Sequence, residues 1–119
     1  MELKEIENLV PVKKCEEEVN NGIVTVKYYN NKVSFFEKHI LRSSKAKLYK
    51  IDLDEIGSYI WKNCDGKMTV ESITRLAEEK FGDKISPAKE RVSLFIKQMA
   101  ETKLIELYKV KLQEGYENS

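Results

Sequence analysis

The sequence predicts an α+β domain: a small antiparallel three-stranded sheet followed by three helices, in a winged-helix-like order. Three observations predict it. Apolar residues recur with period two across residues 23–51, then with helical spacing from residue 56 onward. Capping residues stand just ahead of each helical stripe, and Asp65-Gly66 and Gly82 stand just behind the first two. No internal repeat or low-complexity segment interrupts this order.

The elements follow in chain order. Leu9-Val10-Pro11-Val12 is a short apolar patch with a proline, which fits an edge strand or an extended lead-in. Glu16-Glu17-Glu18 reads as a solvated loop, and Asn20-Asn21-Gly22 as a turn. Ile23 to Tyr29 is rich in β-branched and aromatic residues, which suit a pleated surface. Asn30-Asn31 offers a tight turn, and Lys32 to Ile40 resumes the extended pattern. Residues 23–40 therefore read as a β-hairpin. Leu41 to Ala46 reads as a loop and Lys47-Leu48-Tyr49-Lys50-Ile51 as the third strand.

Asp54 is placed to cap the first helix, because its carboxylate can accept a bond from an unpaired first-turn amide. Ile56, Tyr59, Ile60 and Cys64 form its apolar face, and Asp65-Gly66 ends it. Thr69 caps the second helix, with Val70, Ile73, Leu76, Ala77 and Phe81 as its stripe. Ser86-Pro87 reads as cap and first-turn proline of the third, whose stripe is Val92, Phe95, Ile96 and Met99. Leu104-Ile105-Glu106-Leu107 follows as a short apolar segment. Residues 1–20 are expected as an N-terminal extension, 21–110 as the domain and 111–119 as a polar tail.

At 119 residues the chain can bury one modest core. It is 41% hydrophobic and 34% charged, the composition of a globular domain with a charged surface. Charges in Met1 to Glu7 leave no room for a secretory h-region, and no apolar run approaches the ~20 residues of a membrane span. A cytoplasmic location is the expectation. With 21 basic and 20 acidic residues the net charge is +1, which argues against a dedicated nucleic-acid binder.

Catalytic constellations are missing from the sequence. His39, the only histidine, falls in an expected strand with no nucleophile placed for it by spacing. Cys15, His39 and Cys64 match no metal signature, and the cysteines read as reduced, semi-buried apolar groups. The five glycines form no phosphate cradle. Neither enzymatic activity, a cofactor nor a metal is expected.

One stretch is more specific than periodicity. Leu53-Asp54, Trp61, Asp65-Gly66, Thr69-Val70, Ile73, Leu76, Phe81-Gly82 and Leu104-Ile105 stand in one register. Over residues 20–107 this resembles the PqqD family of precursor-peptide recognition elements of ribosomally made, modified peptides. The chain departs from the family at Lys103, where glycine usually precedes the final leucine. The resemblance implies a non-catalytic peptide chaperone of natural product biosynthesis. It would hold the leader region of a precursor peptide as a strand added to the third strand, beside the third helix. It would then present the leader to a modifying enzyme, often a radical-SAM protein. The edge would be Lys47, Leu48, Tyr49, Lys50 and Ile51, and the facing wall Arg91, Phe95, Gln98 and Met99. Lys47, Lys50 and Arg91 would suit an acidic leader.

Other readings compete. Phe95 and Met99 at helical spacing fit a core, Tyr49 fits a cross-strand pair with Tyr28, and Trp61 fits either a core plug or a docking residue. A winged-helix DNA-binding regulator would use the third helix as its recognition helix, although Lys89, Glu90, Arg91, Lys97, Glu101 and Lys103 mix both signs there. A homodimer paired through the open strand edge is a third reading.

Overall fold

A computed structural model describes residues 3–30 and 47–110. The chain forms α1 (Leu3–Ile6), β1 (Leu9–Lys13), β2 (Glu16–Asn20), β3 (Ile23–Asn30), β4 (Lys47–Asp52), α2 (Glu55–Lys62), α3 (Val70–Phe81), a 3-10 turn (Gly82–Ile85), α4 (Ala88–Glu101) and β5 (Ile105–Lys109). β2, β3 and β4 make a three-stranded antiparallel sheet in that order, and β1 pairs with β5 in a two-stranded ribbon. The α+β class with a three-stranded antiparallel sheet is as predicted. Residues 3–20 supply one helix and two strands to this fold.

The strands differ in membership from the expectation. Glu16–Asn20 is a strand, not a loop, and it forms the hairpin with β3. Its two-residue turn is Asn21-Gly22, with φ of 52° and 81°. Positive φ at both positions defines the primed turn whose twist matches the flanking strands, and Asn-Gly is the pair that tolerates it. Ladder energy therefore overrides the acidic run, whose side chains need only alternate between faces. The expected strand over 32–40, the turn at Asn31, the loop from Leu41 to Ala46 and His39 lie outside the described residues. The apolar patch at residues 9–12 and the segment at 104–107 become β1 and β5, partners across the chain. Pro11 fits there because its carbonyl, not an amide, is needed on that side, where it accepts from the Gly66 amide at 3.1 Å.

The helical caps are as read for two helices. Asp54 accepts from the Gly57 amide at 2.6 Å, and Thr69 from the Ser72 amide at 3.2 Å. The third helix starts one residue later than expected. Pro87 holds the cap position, and no side chain caps it. The first helix stops at Lys62, short of Asp65-Gly66, with Asn63 as its C-cap.

The core lies between the inner face of the three-stranded sheet and the helices. Val24, Val26, Ile60, Trp61, Ile73, Val92 and Ile96 are fully or almost fully buried there, joined by Ile6 from α1 and Ile105 from β5. Trp61 is a core residue with no exposed surface, not a docking residue. Its indole N–H donates to Glu17 Oε1 at 3.0 Å, so β2 is tied to α2 across the core.

At the end of α4, Leu104 N–H reaches the Met99 carbonyl at 2.9 Å and Lys103 N–H the Ala100 carbonyl at 3.0 Å. This is a Schellman closure, with Lys103 at φ 65° in the position that glycine normally takes. The departure at Lys103 thus leaves the helix stop intact and puts strain on one residue.

Candidate functional site

β4 lies at the sheet edge, and its hydrogen-bond phase decides what that edge offers. Leu53 N–H donates to the Val24 carbonyl at 2.9 Å. In an antiparallel ladder, residues alternate between facing the partner strand and facing away. From that bond and the register Val26↔Ile51 and Tyr28↔Tyr49, the amides and carbonyls of Ile51 and Tyr49 face β3. Those of Leu48, Lys50 and Asp52 face outward. Among the described residues, no strand covers them. An uncovered row of this kind is a template for another strand.

Side chains alternate across the same strand. Ile51 and Tyr49 lie on the inner face beside Val26 and Tyr28. Tyr49 stacks on Tyr28 with ring centroids 5.4 Å apart and an interplanar angle of 21°, yet keeps 39% of its surface exposed. Lys50 projects from the outer face, directly opposite Lys27. Leu48 enters the edge through its backbone, whereas the backbone of Lys47, in phase with Tyr49 and Ile51, faces β3; the side chains of both lie outside the described residues.

On α4 the buried stripe is Val92, Ile96 and Met99. Arg91, Phe95 and Gln98, at i, i+4 and i+7, follow one flank of that stripe. Phe95 is half-buried, and its ring meets the corner where β4 runs into α2. A Cβ built on Gly57 would lie 3.3 Å from Phe95 Cε1 and 3.5 Å from Leu53 Cβ. Arg91 and Gln98 are exposed, and Arg91 Nη1 donates to the Lys84 carbonyl at 2.6 Å. Met99 is 7% exposed and belongs to the core.

Of the residues singled out in the sequence, Tyr49 and Ile51 lie on the helical face of the sheet, and Phe95 lies on α4 with its ring beside Gly57. Lys50 offers its backbone to the edge but its ammonium group to the opposite face. Gly57 and Asp52 belong to this region and were not singled out. A glycine in the first turn of a helix that follows a strand was the available signal for the first, since it marks a close approach.

The cysteines sit apart from this edge. Burial pushes the Cys64 thiol up to about 12, and that of Cys15 is raised for the same reason. Both are free, and neither is primed as a thiolate. Among the described residues, no cluster of three histidine, cysteine or acidic side chains could hold a metal. No helix among them is long and apolar enough to cross a membrane.

The family model described as coenzyme PQQ synthesis protein D (PqqD) matches residues 45–105, half of the chain. The chain belongs to the PqqD family. The match runs from β4 through α4 to the first residue of β5, so it covers both the strand edge and the helix flank described above. It begins downstream of β1, β2 and β3, a shorter span than the resemblance drawn over residues 20–107. No curated protein and no solved structure matches the chain. PqqD proteins are non-catalytic accessories of PQQ and related ribosomal-peptide biosynthesis, and membership points to a peptide-binding role.

Proposed function

We propose that the protein binds the leader region of a ribosomally made precursor peptide as a strand added to β4, beside α4, and presents it to a modifying enzyme of the radical-SAM type. The observation that carries this reading is the outward row of backbone groups at Leu48, Lys50 and Asp52, next to Tyr49, Ile51 and Phe95 on the helical side. Backbone pairing at such an edge supplies affinity with little sequence demand, and side chains on alternate positions supply selectivity. The flank of Arg91, Phe95 and Gln98 is the wall against which those side chains would settle. The protein itself supplies no chemistry in this reading.

The test is a fluorescence-anisotropy titration with the leader peptide encoded nearest to the gene. Saturable binding near micromolar, about −8 kcal/mol, is expected. Lys50→Pro removes an outward amide without taking a bond from β3, so it should abolish binding and leave the fold intact. Binding that survives Lys50→Pro unchanged would move the peptide away from this edge.

A further inference from the structure

The outer face of the three-stranded sheet carries charges in rows. One row is Glu16, Lys27 and Lys50, and the next is Glu18, Thr25 and Asp52. Their partners are unevenly shared. Lys27 Nζ pairs with Glu18 Oε1 at 2.8 Å, and Asp52 Oδ1 accepts from Thr25 Oγ1 at 2.7 Å. Lys50 makes no contact ion pair among the described residues and feels Glu18 only at longer range, and its direct cross-strand neighbour is Lys27. The pair is of the non-hydrogen-bonded kind, because Val26↔Ile51 is bonded, and such pairs hold side chains closest. Two like charges opposite each other at that spacing repel. The far side of Lys50 is the open edge, where its own N–H and C=O point outward.

A strand added there places one residue directly opposite Lys50, and its side chain must share the outer face with Lys50 whichever way the strand runs. Its two neighbours turn to the inner face, toward Tyr49, Ile51 and Phe95. Resting on the strand-addition reading above, we infer that the recognised peptide carries an acidic residue opposite Lys50, flanked on both sides by apolar residues. The carboxylate would give the Lys50 ammonium group a contact partner, and the flanking residues would meet the apolar side of the edge. Asp52, one row along, disfavours a second acid two positions away.

Selection of a phage-displayed library of random 12-residue peptides on the wild-type protein, on Lys50→Glu and on Lys50→Pro tests this. Lys50 is exposed, so Lys50→Glu should fold normally, as circular dichroism would show. Wild type should enrich Asp or Glu between two apolar residues, and Lys50→Glu should enrich Lys or Arg at the same place. For a synthetic peptide from the wild-type selection, reversing the acid to lysine should weaken binding about fivefold. Lys50→Glu should restore it. Enrichment of alternating apolar residues with no charge preference, or the same preference on both proteins, overturns the inference while strand addition stands. Enrichment that Lys50→Pro leaves unchanged, or no enrichment at all, overturns both.

Discussion

Glu17 accepts two hydrogen bonds on one carboxylate oxygen, from the buried indole of Trp61 and from Lys13 Nζ, each at 3.0 Å. The acid lies in β2, the indole in α2 and the amine in β1, so a single oxygen joins three elements. Glu17 falls on the inner face because it pairs with Val26, while Glu16 and Glu18 take the outer face. One acidic run thus splits into a structural residue and two surface residues.

Removing that oxygen should leave the indole N–H buried without an acceptor. Glu17→Leu is expected to cost about 1–3 kcal/mol, the penalty of an unsatisfied buried donor. Glu17→Gln keeps an acceptor and should cost less. Glu16→Ala should stay within about 0.5 kcal/mol, as exposed substitutions do. Urea unfolding of the three variants would rank them.

Lys103 holds a left-handed conformation that costs a non-glycine residue about 1–2 kcal/mol. Lys103→Gly should relieve most of it, less the extra chain entropy that glycine loses on folding. A net gain of about 0.5–1 kcal/mol is expected, seen as a raised thermal midpoint. Lys103→Val should move the midpoint the other way, because branching at Cβ crowds that conformation further.

Gly57 is where α2, Leu53 and the Phe95 ring converge. A Cβ there would lie 3.1 Å from the capping Asp54 Oδ1 as well as 3.3 Å from Phe95. Gly57→Val adds a branched side chain to that space and should cost about 1–3 kcal/mol by overpacking. It should also displace Phe95 from the flank of α4. Peptide affinity measured below the unfolding transition should therefore fall more than it does for Leu94→Ala, a change at an exposed position of the same helix.

Cys64 titrates far above an ordinary thiol, at about 12 against 9.0. Burial favours its neutral form, so the folded state holds the proton more tightly than the unfolded one. The stabilisation is present in full below pH 9 and is lost as pH rises from 9 toward 12. Cys64→Ala should flatten that part of the stability curve relative to wild type. At neutral pH a thiol reagent should modify half-buried Cys15 first and Cys64 only on unfolding, which mass spectrometry of the labelled chain would resolve.

Much of the helical half was legible because its signals are local. Asp54 and Thr69 cap the helices that follow them, and the apolar stripes fix which face turns inward, since caps and 3.6-residue spacing depend on neighbours a few positions away. The identity of β4 as a strand was legible for the same reason, through its period of two. Partnership was not. Nothing near Glu17 distinguishes it from Glu16 and Glu18 until β3 fixes the register and Trp61 arrives from 44 positions downstream. Likewise, β1 and β5 look like isolated apolar patches until they pair across nearly the whole chain. That the backbone of Tyr49 faces β3 and that of Lys50 faces the edge follows from a single bond, Leu53 N–H to the Val24 carbonyl, that only the folded chain makes. Composition and spacing determined the class of the domain. The tertiary structure decided which backbone groups face solvent, because a strand's edge is defined by the partner it lacks, and a partner is never local.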